Sequence, residues 1–496
     1  MKHASIALTL FLAATLFSCA PNKPQPTSMV LEGTLPKWSG KTLYLAKSSD
    51  VQDYRYYVQA VDSVVVDSTG QFQFSAAVTE ADFYQIKRVS GYDLFSGKLF
   101  YLGPDDTLQL QVSEETSAVA LTGNASAIHQ FQWDFHDQFL KDRKEREEVV
   151  QEAPDYLNML DTRKSEQLQF IEAYAAKASF PDAYKHYFLA DINYRCANDY
   201  FYYLKYHHLF ANQDWKYIPS DSLPYAFMEL FNINDPAFTF NLNRHTTIKG
   251  LLEDAYQAIA TSRPDSARWV LEFTDKLEIA ENNFTGVNQE IALKNLSREF
   301  GMFLLGDKEN FYDNAAAAKE RFAASKSSDL YYALYAKSYE DFLKIAPGQP
   351  APVFTLPDST GQLISLADFK GKIVYLDFWG TWCGPCVAEI PTSKDLQEKY
   401  KDNDNVVFLF IAMESKEKNI AEWKALVQEK EFPGVHVVAK NQMRNKEIAD
   451  YQISFAPTHF LINHRGEIVD PRAPRSKDIQ PLLEELLAAL AAEQVH

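Results

Sequence analysis

The stretch LDFWGTWCGPCVAEIP, residues 376–391, constrains this chain more than any other. Two cysteines, held two residues apart by Gly384 and Pro385, stand where an apolar run, KIVYLDFW, gives way to an amphipathic one, CVAEIPTSKDLQEKY. The pattern changes there from strand to helix, so Cys383 is expected in the first helical turn. Unpaired backbone N–H groups and the positive end of the helix dipole favour the thiolate at that place, and the thiolate is the form that attacks disulfides. Cys386, one turn further in and expected to be the more covered of the two, is suited to resolving the mixed disulfide. Pro385 is tolerated because the first N–H groups of a helix need no partner within it. Downstream, NVVFLFIAM and VHVVA read as extended, IAEWKALVQEK and NKEIADYQI as helices, and THFLIN with GEIVD as a hairpin around His464-Arg465-Gly466. Leu482, Leu483, Leu486 and Leu490 line one face of a last helix. Such alternation of strands and helices predicts an α/β sheet layer.

Other uses of the pair fit less well. Structural zinc needs two further Cys or His at recognisable spacing, and none follows. C-type haem attachment needs His directly after the second cysteine, where Val387 stands. A disulfide across two residues constrains almost no loop. Redox catalysis without metal or cofactor is the remaining reading. Asp377 interrupts an otherwise apolar strand, where a buried charge is costly, and a carboxyl of raised pKa there would move a proton to and from Cys386. Glu389, three residues after Cys386, shares its helical face. Its position fits equally a share in that proton transfer and a solvated helix carboxylate.

The chain has 496 residues, too many for one hydrophobic core. Its net charge of −18 argues against a nucleic-acid partner, which needs clustered Lys and Arg. Lys2, the apolar stretch from Ala4 to Phe17, and Ser18-Cys19 read as a secretory signal too short for a comfortable membrane span. Two outcomes follow: an ordinary cleaved signal peptide over residues 1–18, or a lipidated Cys19 that becomes the anchored N-terminus. The Pro-rich PNKPQPTS after it suits a tether over residues 19–28. Besides Cys19 and the pair, only Cys196 is present, too few thiols for a disulfide-stapled fold.

We expect a multidomain α+β chain. Short Val-, Tyr- and Phe-rich runs with turn signals predict an antiparallel β-sandwich over 29–118. Helical spacing predicts an α-helical region over 125–345, with breaks at Pro181, Pro219 and Pro236. Its aromatic stretch, DAYKHYFLADINYRCANDYFYYLKYHHLF, reads as a buried seam, with Cys196 an inert core thiol or a third redox partner. His207 and His208 are adjacent, so on a helix they diverge from any shared metal. A Pro- and Gly-rich segment then opens the last domain, 347–496.

WCGPC after a strand carrying Asp377, with Pro391 downstream, resembles thioredoxin. Ala456-Pro457-Thr458 is similar to that family's cis-proline loop, which packs on the cysteines and binds the substrate backbone. More closely, PGQPAPVFTLPDSTGQLISLADFKGKIVYLDFWGTWCGPCVAEIP resembles the membrane-anchored TlpA/ResA-like thiol–disulfide oxidoreductases. The resemblance implies a thioredoxin-like α/β domain with Cys383 as nucleophile, Cys386 as resolver, and Asp377 and Glu389 as the proton relay. Trp382, Gly384, Pro385, Ala456 and Pro457 would then meet the substrate. Partners would be client proteins with disulfides and a membrane-bound electron donor or acceptor. The place implied is the envelope of a Gram-negative bacterium, lipid-anchored and facing the periplasm or cell surface, with cytochrome complex assembly among the processes served. Residues 29–112 are similar to a domain of unassigned function that precedes thioredoxin domains in Gram-negative lipoproteins. His459 replaces a common small polar residue after the cis-proline; it reads as a solvent-facing strand residue, with tuning of substrate contact as the alternative. Two rivals remain. Peroxiredoxins share the segment before the cysteines, but WGTWCGPC lacks their Pro and Thr spacing. In an envelope binding or scaffold lipoprotein, the redox unit would be accessory.

Overall fold

In the computed structural model the described residues are 27–48, 60–88, 94–95, 98–113, 119–213, 218, 241–261, 273–301, 310–326, 329–415, 417–442 and 445–494. The expected signal peptide, Cys19 with most of its tether, Pro219 and Pro236 lie outside them. Two four-stranded sheets come first. One holds β1 (Thr27–Thr34), β4 (Gln71–Val78), β7 (Thr107–Val112) and β8 (Val119–Thr122) in the order β4-β1-β7-β8. The other holds β2 (Thr42–Lys47), β3 (Ala60–Val65), β5 (Asp82–Arg88) and β6 (Phe100–Leu102) in the order β3-β2-β5-β6. QFQFSAAV alternates strictly between exposed and buried, as a strand with one wet face must. Leu31, Phe74 and Leu110 of the first sheet share one apolar cluster with Leu43, Leu45 and Ile86 of the second. The sequence predicts antiparallel pairing throughout, but β1 and β7 run parallel. The whole second sheet separates those two strands in the chain, so no hairpin imposes their relative direction.

Nine helices follow among the described residues before the last domain. They are α1 (Ser126–Phe139), α2 (Glu145–Val149), α3 (Ala153–Ala178), α4 (Asp182–Asn212), α5 (Leu242–Thr261), α6 (Phe273–Asn283), α7 (Gly286–Ser297), α8 (Phe311–Ser325) and α9 (Asp329–Leu343). Pro181 separates α3 from α4, with Ser179 in the left-handed region at φ 51°. The described chain forms two compact units that divide within α4, after Cys196. In the first, Tyr184 and Phe188 of α4 pack on Phe131 and Phe135 of α1 and Ile171 of α3, so the aromatic stretch is a buried seam there.

The second unit carries the cysteine pair. A hairpin of β9 (Thr355–Pro357) and β10 (Leu363–Ser365) leads into β11 (Ile373–Trp379), α10 (Gly384–Tyr400), β12 (Val406–Glu414), α11 (Glu417–Glu429) and β13 (Val435–Lys440). Then come β14 (Thr458–Ile462), β15 (Ile468–Asp470) and α12 (Gln480–Gln494). The five-stranded sheet has the order β13-β12-β11-β14-β15, with β11, β12 and β13 parallel and β14 antiparallel to β11. All seven residues of β11 are buried, which requires cover on both faces. Ile373, Tyr375 and Trp379 point into a cluster with Ile390, Trp423 and Leu483 from α10, α11 and α12. Val374, Leu376 and Phe378 belong to another that runs through Phe354 and Phe342 to Phe300 and Phe311. NKEIADYQI forms a 3-10 turn over Lys446–Tyr451 where an α-helix was expected.

Candidate active site

β11 ends at Trp379, and the chain turns through Gly380-Thr381-Trp382 to place Cys383 at the cap of α10. The expectation of a first-turn position is off by one residue. Cys383 sits outside the helix at φ −97° and ψ 96°, and its Sγ accepts a hydrogen bond from the Cys386 N–H at 3.2 Å. The sulfur thus faces the open amides at the helix start, where developing negative charge is favoured. Cys383 and Cys386 are joined as a disulfide with Cα atoms 5.3 Å apart. Both are 5% exposed, so the expected difference in cover is absent in this oxidised form.

The rim is open. Trp382 is 44% exposed, Gly384 and Pro385 are exposed, and nothing lies within 4 Å of where a Cβ on Gly384 would point. The Trp382 indole is held by its Nε1 donating to the Met413 carbonyl at 2.7 Å. Next to it, Thr381 N–H donates to Glu414 Oε1 at 2.8 Å. Glu414 is fully buried at the end of β12, and burial pushes its carboxyl above the usual range. It escaped the sequence reading, although an acid closing the apolar run VVFLFIAME carries the same signal as Asp377. Ala456–Pro457 is a cis peptide, and Ala456 packs against the cluster that contains both cysteines.

Asp377 lies two residues from both Tyr375 and Trp379 along β11, which puts it with them on the face covered by α10. Its side chain is 13% exposed. Glu389 is not a solvated helix carboxylate: its side chain is 9% exposed, and Oε1 accepts from the Ser476 backbone N–H at 2.8 Å and hydroxyl at 3.0 Å. His459 corrects a further expectation. It is 4% exposed and paired in register with Asp377, with Nε2 at 3.4 Å from Asp377 Oδ1 and 3.5 Å from Glu389 Oε1. Burial alone would push its imidazole down, but the two carboxylates outweigh burial and hold it above the usual histidine range. Elsewhere Cys196 is buried and not disulfide-bonded, and the His207 ring lies 4.7 Å from that of Tyr203. Among the described residues, no group of three His, Cys, Asp or Glu is arranged to hold a metal ion.

Residues 346–485 match the Redoxin family. The thiol-disulfide oxidoreductase ResA of Bacillus anthracis is 37% identical over 139 residues, 28% of this chain and 76% of that protein. The thioredoxin-like protein YneN of Bacillus subtilis (strain 168) is 36% identical over 127 residues, 25% of this chain and 71% of that protein. Among solved structures, the thioredoxin domain of a thiol-disulfide oxidoreductase from Bacteroides vulgatus is 28% identical, covering 28% of this chain and 96% of that one with a TM-score of 0.26.

Proposed function

Because the chain belongs to the ResA-like thiol–disulfide oxidoreductases through its thioredoxin-like C-terminal part, we propose that Cys383 and Cys386 reduce disulfides of client proteins in the cell envelope. The observation that carries this reading is a cysteine pair at a helix N-terminus, beneath the open rim of Trp382, Gly384 and Pro385. In the reduced enzyme the Cys383 thiolate attacks one sulfur of the client disulfide. The other client sulfur leaves with the electron pair and takes up a proton. Cys386 then gives its proton to a nearby carboxylate and attacks Cys383 Sγ, forming the enzyme disulfide and releasing the second client thiolate, which is protonated in turn. Two electrons and two protons pass to the client, and a dithiol reductant restores the enzyme. Asp377 and Glu389 are the proton acceptors on this account, and Ala456 and Pro457 meet the client backbone.

Residues 1–18 are a signal peptide and Cys19 a lipidated N-terminus. Residues 19–28 tether the chain to the envelope of a Gram-negative bacterium, facing the periplasm or surface, with a membrane-bound electron donor or acceptor. The two N-terminal sheets form a sandwich, and with the helical region of 125–345 they hold the 347–496 domain away from the membrane or select clients. Changing Cys386→Ser tests the core of this: the variant should accumulate a mixed disulfide with a disulfide-bearing protein through Cys383. Absence of any such adduct, with Cys383 reduced and the protein folded, would contradict it.

A further inference from the structure

His459 lies between two acids. The register of β11 with β14 sets it opposite Asp377, while α10 brings Glu389 to the same imidazole nitrogen. Among the described residues, neither His459 Nε2 nor Asp377 Oδ1 has a hydrogen-bond partner, and the two stand 3.4 Å apart. Tyr375 backs the ring in a near-parallel stack, centroids 5.4 Å apart with planes 8° from parallel. The charged and titratable groups facing His459 are Asp377 and Tyr375 from β11, Glu389 from α10, and Arg475 from the segment after β15. Arg475 Nε lies 3.8 Å from Glu389 Oε2, and its side chain is 48% exposed, so its charge is partly screened. His459 is therefore enclosed between two enclosed carboxylates. Two like charges held this close repel strongly unless a counter-charge stands between them.

We propose that His459 is a positioning residue for the resolving step: its imidazolium counterbalances Asp377 and Glu389 and sets the pH at which they accept the Cys386 proton. The inference rests on the thiol–disulfide reading above. In the mixed disulfide the Cys386 S–H bond breaks and the proton passes to a carboxylate oxygen of this pair. The resulting thiolate attacks Cys383 Sγ, and the client sulfur leaves with the bonding electrons and is protonated. With the imidazolium in place, the trio holds one negative charge in excess before the transfer and none after it. With an uncharged side chain at residue 459, two negative charges share the site and the carboxylates are occupied by a proton at higher pH. They are then unable to take the Cys386 proton in the range where the native enzyme works.

An aryl disulfide whose thiolate absorbs visible light separates the two steps with the full-length chain. The first equivalent of coloured thiolate reports attack by Cys383, and the second reports resolution by Cys386. In His459→Gln the pH profile of the second phase should move up by about one unit, roughly a tenfold slower release on the acidic limb, while the first phase is unchanged. His459→Lys, which keeps a cation, should restore the native profile. Superimposable second phases in native and Gln proteins, or equal shifts in the Gln and Lys variants, would overturn the inference. Loss of the first phase in the native protein would instead overturn the reading on which it rests. Should the variants fail to fold, a histidine-ring NMR titration of the native oxidised protein decides. An imidazolium at residue 459 that persists above the ordinary histidine range supports the proposal, and one that deprotonates within or below that range defeats it.

Discussion

Charge at single residues governs how this domain responds to pH. His459 stays protonated beyond the usual range because Asp377 and Glu389 outweigh the burial that opposes its charge. Its folded pKa thus exceeds the unfolded value of about 6.5. The stabilisation is fully present below about pH 6.5 and is lost as pH rises through the raised folded value. Urea unfolding of the oxidised native protein, minus that of His459→Gln, should show a stability difference that declines over this window. A difference flat in pH would contradict the placement of the charge. Asp377 was legible in the sequence because an acid in an apolar run demands a reason. Glu414 offers the same signal at the end of β12. His459 gave none, since its partners are fixed by the pairing of β11 with β14, and no local pattern encodes that register.

Elements place these residues. β11 delivers Asp377 and the turn to Cys383, α10 presents its open amides to the sulfur, and α12 packs over the same face through Leu483, with Ile479 just before its start. Leu483 is fully buried, so Leu483→Ala should cost about 2–5 kcal/mol through lost burial and a cavity. A thermal melt checks the cost. β11, β12, β13, the helices α10, α11 and α12 and the closing hairpin are readable from periodicity, which is a local property, whereas the short β9–β10 hairpin and the 3-10 turn at Lys446–Tyr451 are not. Pairing was not. The parallel match of β1 with β7 joins segments distant in sequence, and β8, four residues of VALT, is too short to show a period.

At the scale of the second unit, the redox domain does not complete its own core. One apolar cluster joins Leu376, Phe378 and Phe460 of the sheet to Phe300, Phe311, Tyr335 and Phe342 from the helices before it. Arg472, 2% exposed, adds a polar link: its Nε donates to the Gly301 carbonyl at 3.2 Å, and its guanidinium lies over Phe455 and Phe460. Phe455 directly precedes Ala456–Pro457, so the helices reach the edge of the active site through this side chain. A chain starting at residue 346 should therefore melt lower and aggregate more readily than one starting at residue 197, since it bares the face the helices cover. Equal melting temperatures would show that the shared cluster adds nothing. The sequence marked a domain boundary near residue 347 by its Pro and Gly, but an interrupted helical pattern does not say which sheet its apolar stripe will meet.

Nucleophilic attack by Cys383 requires its thiolate to be stabilised by the start of α10. The direct measurement is the rate of carboxamidomethylation of Cys383 against pH in the reduced full-length protein, resolved by peptide mass. Half-maximal reactivity is expected well below the ordinary thiol value of about 8.5, with Cys383 outpacing Cys386. Half-maximal reactivity at that ordinary value, or equal rates at the two cysteines, would contradict it.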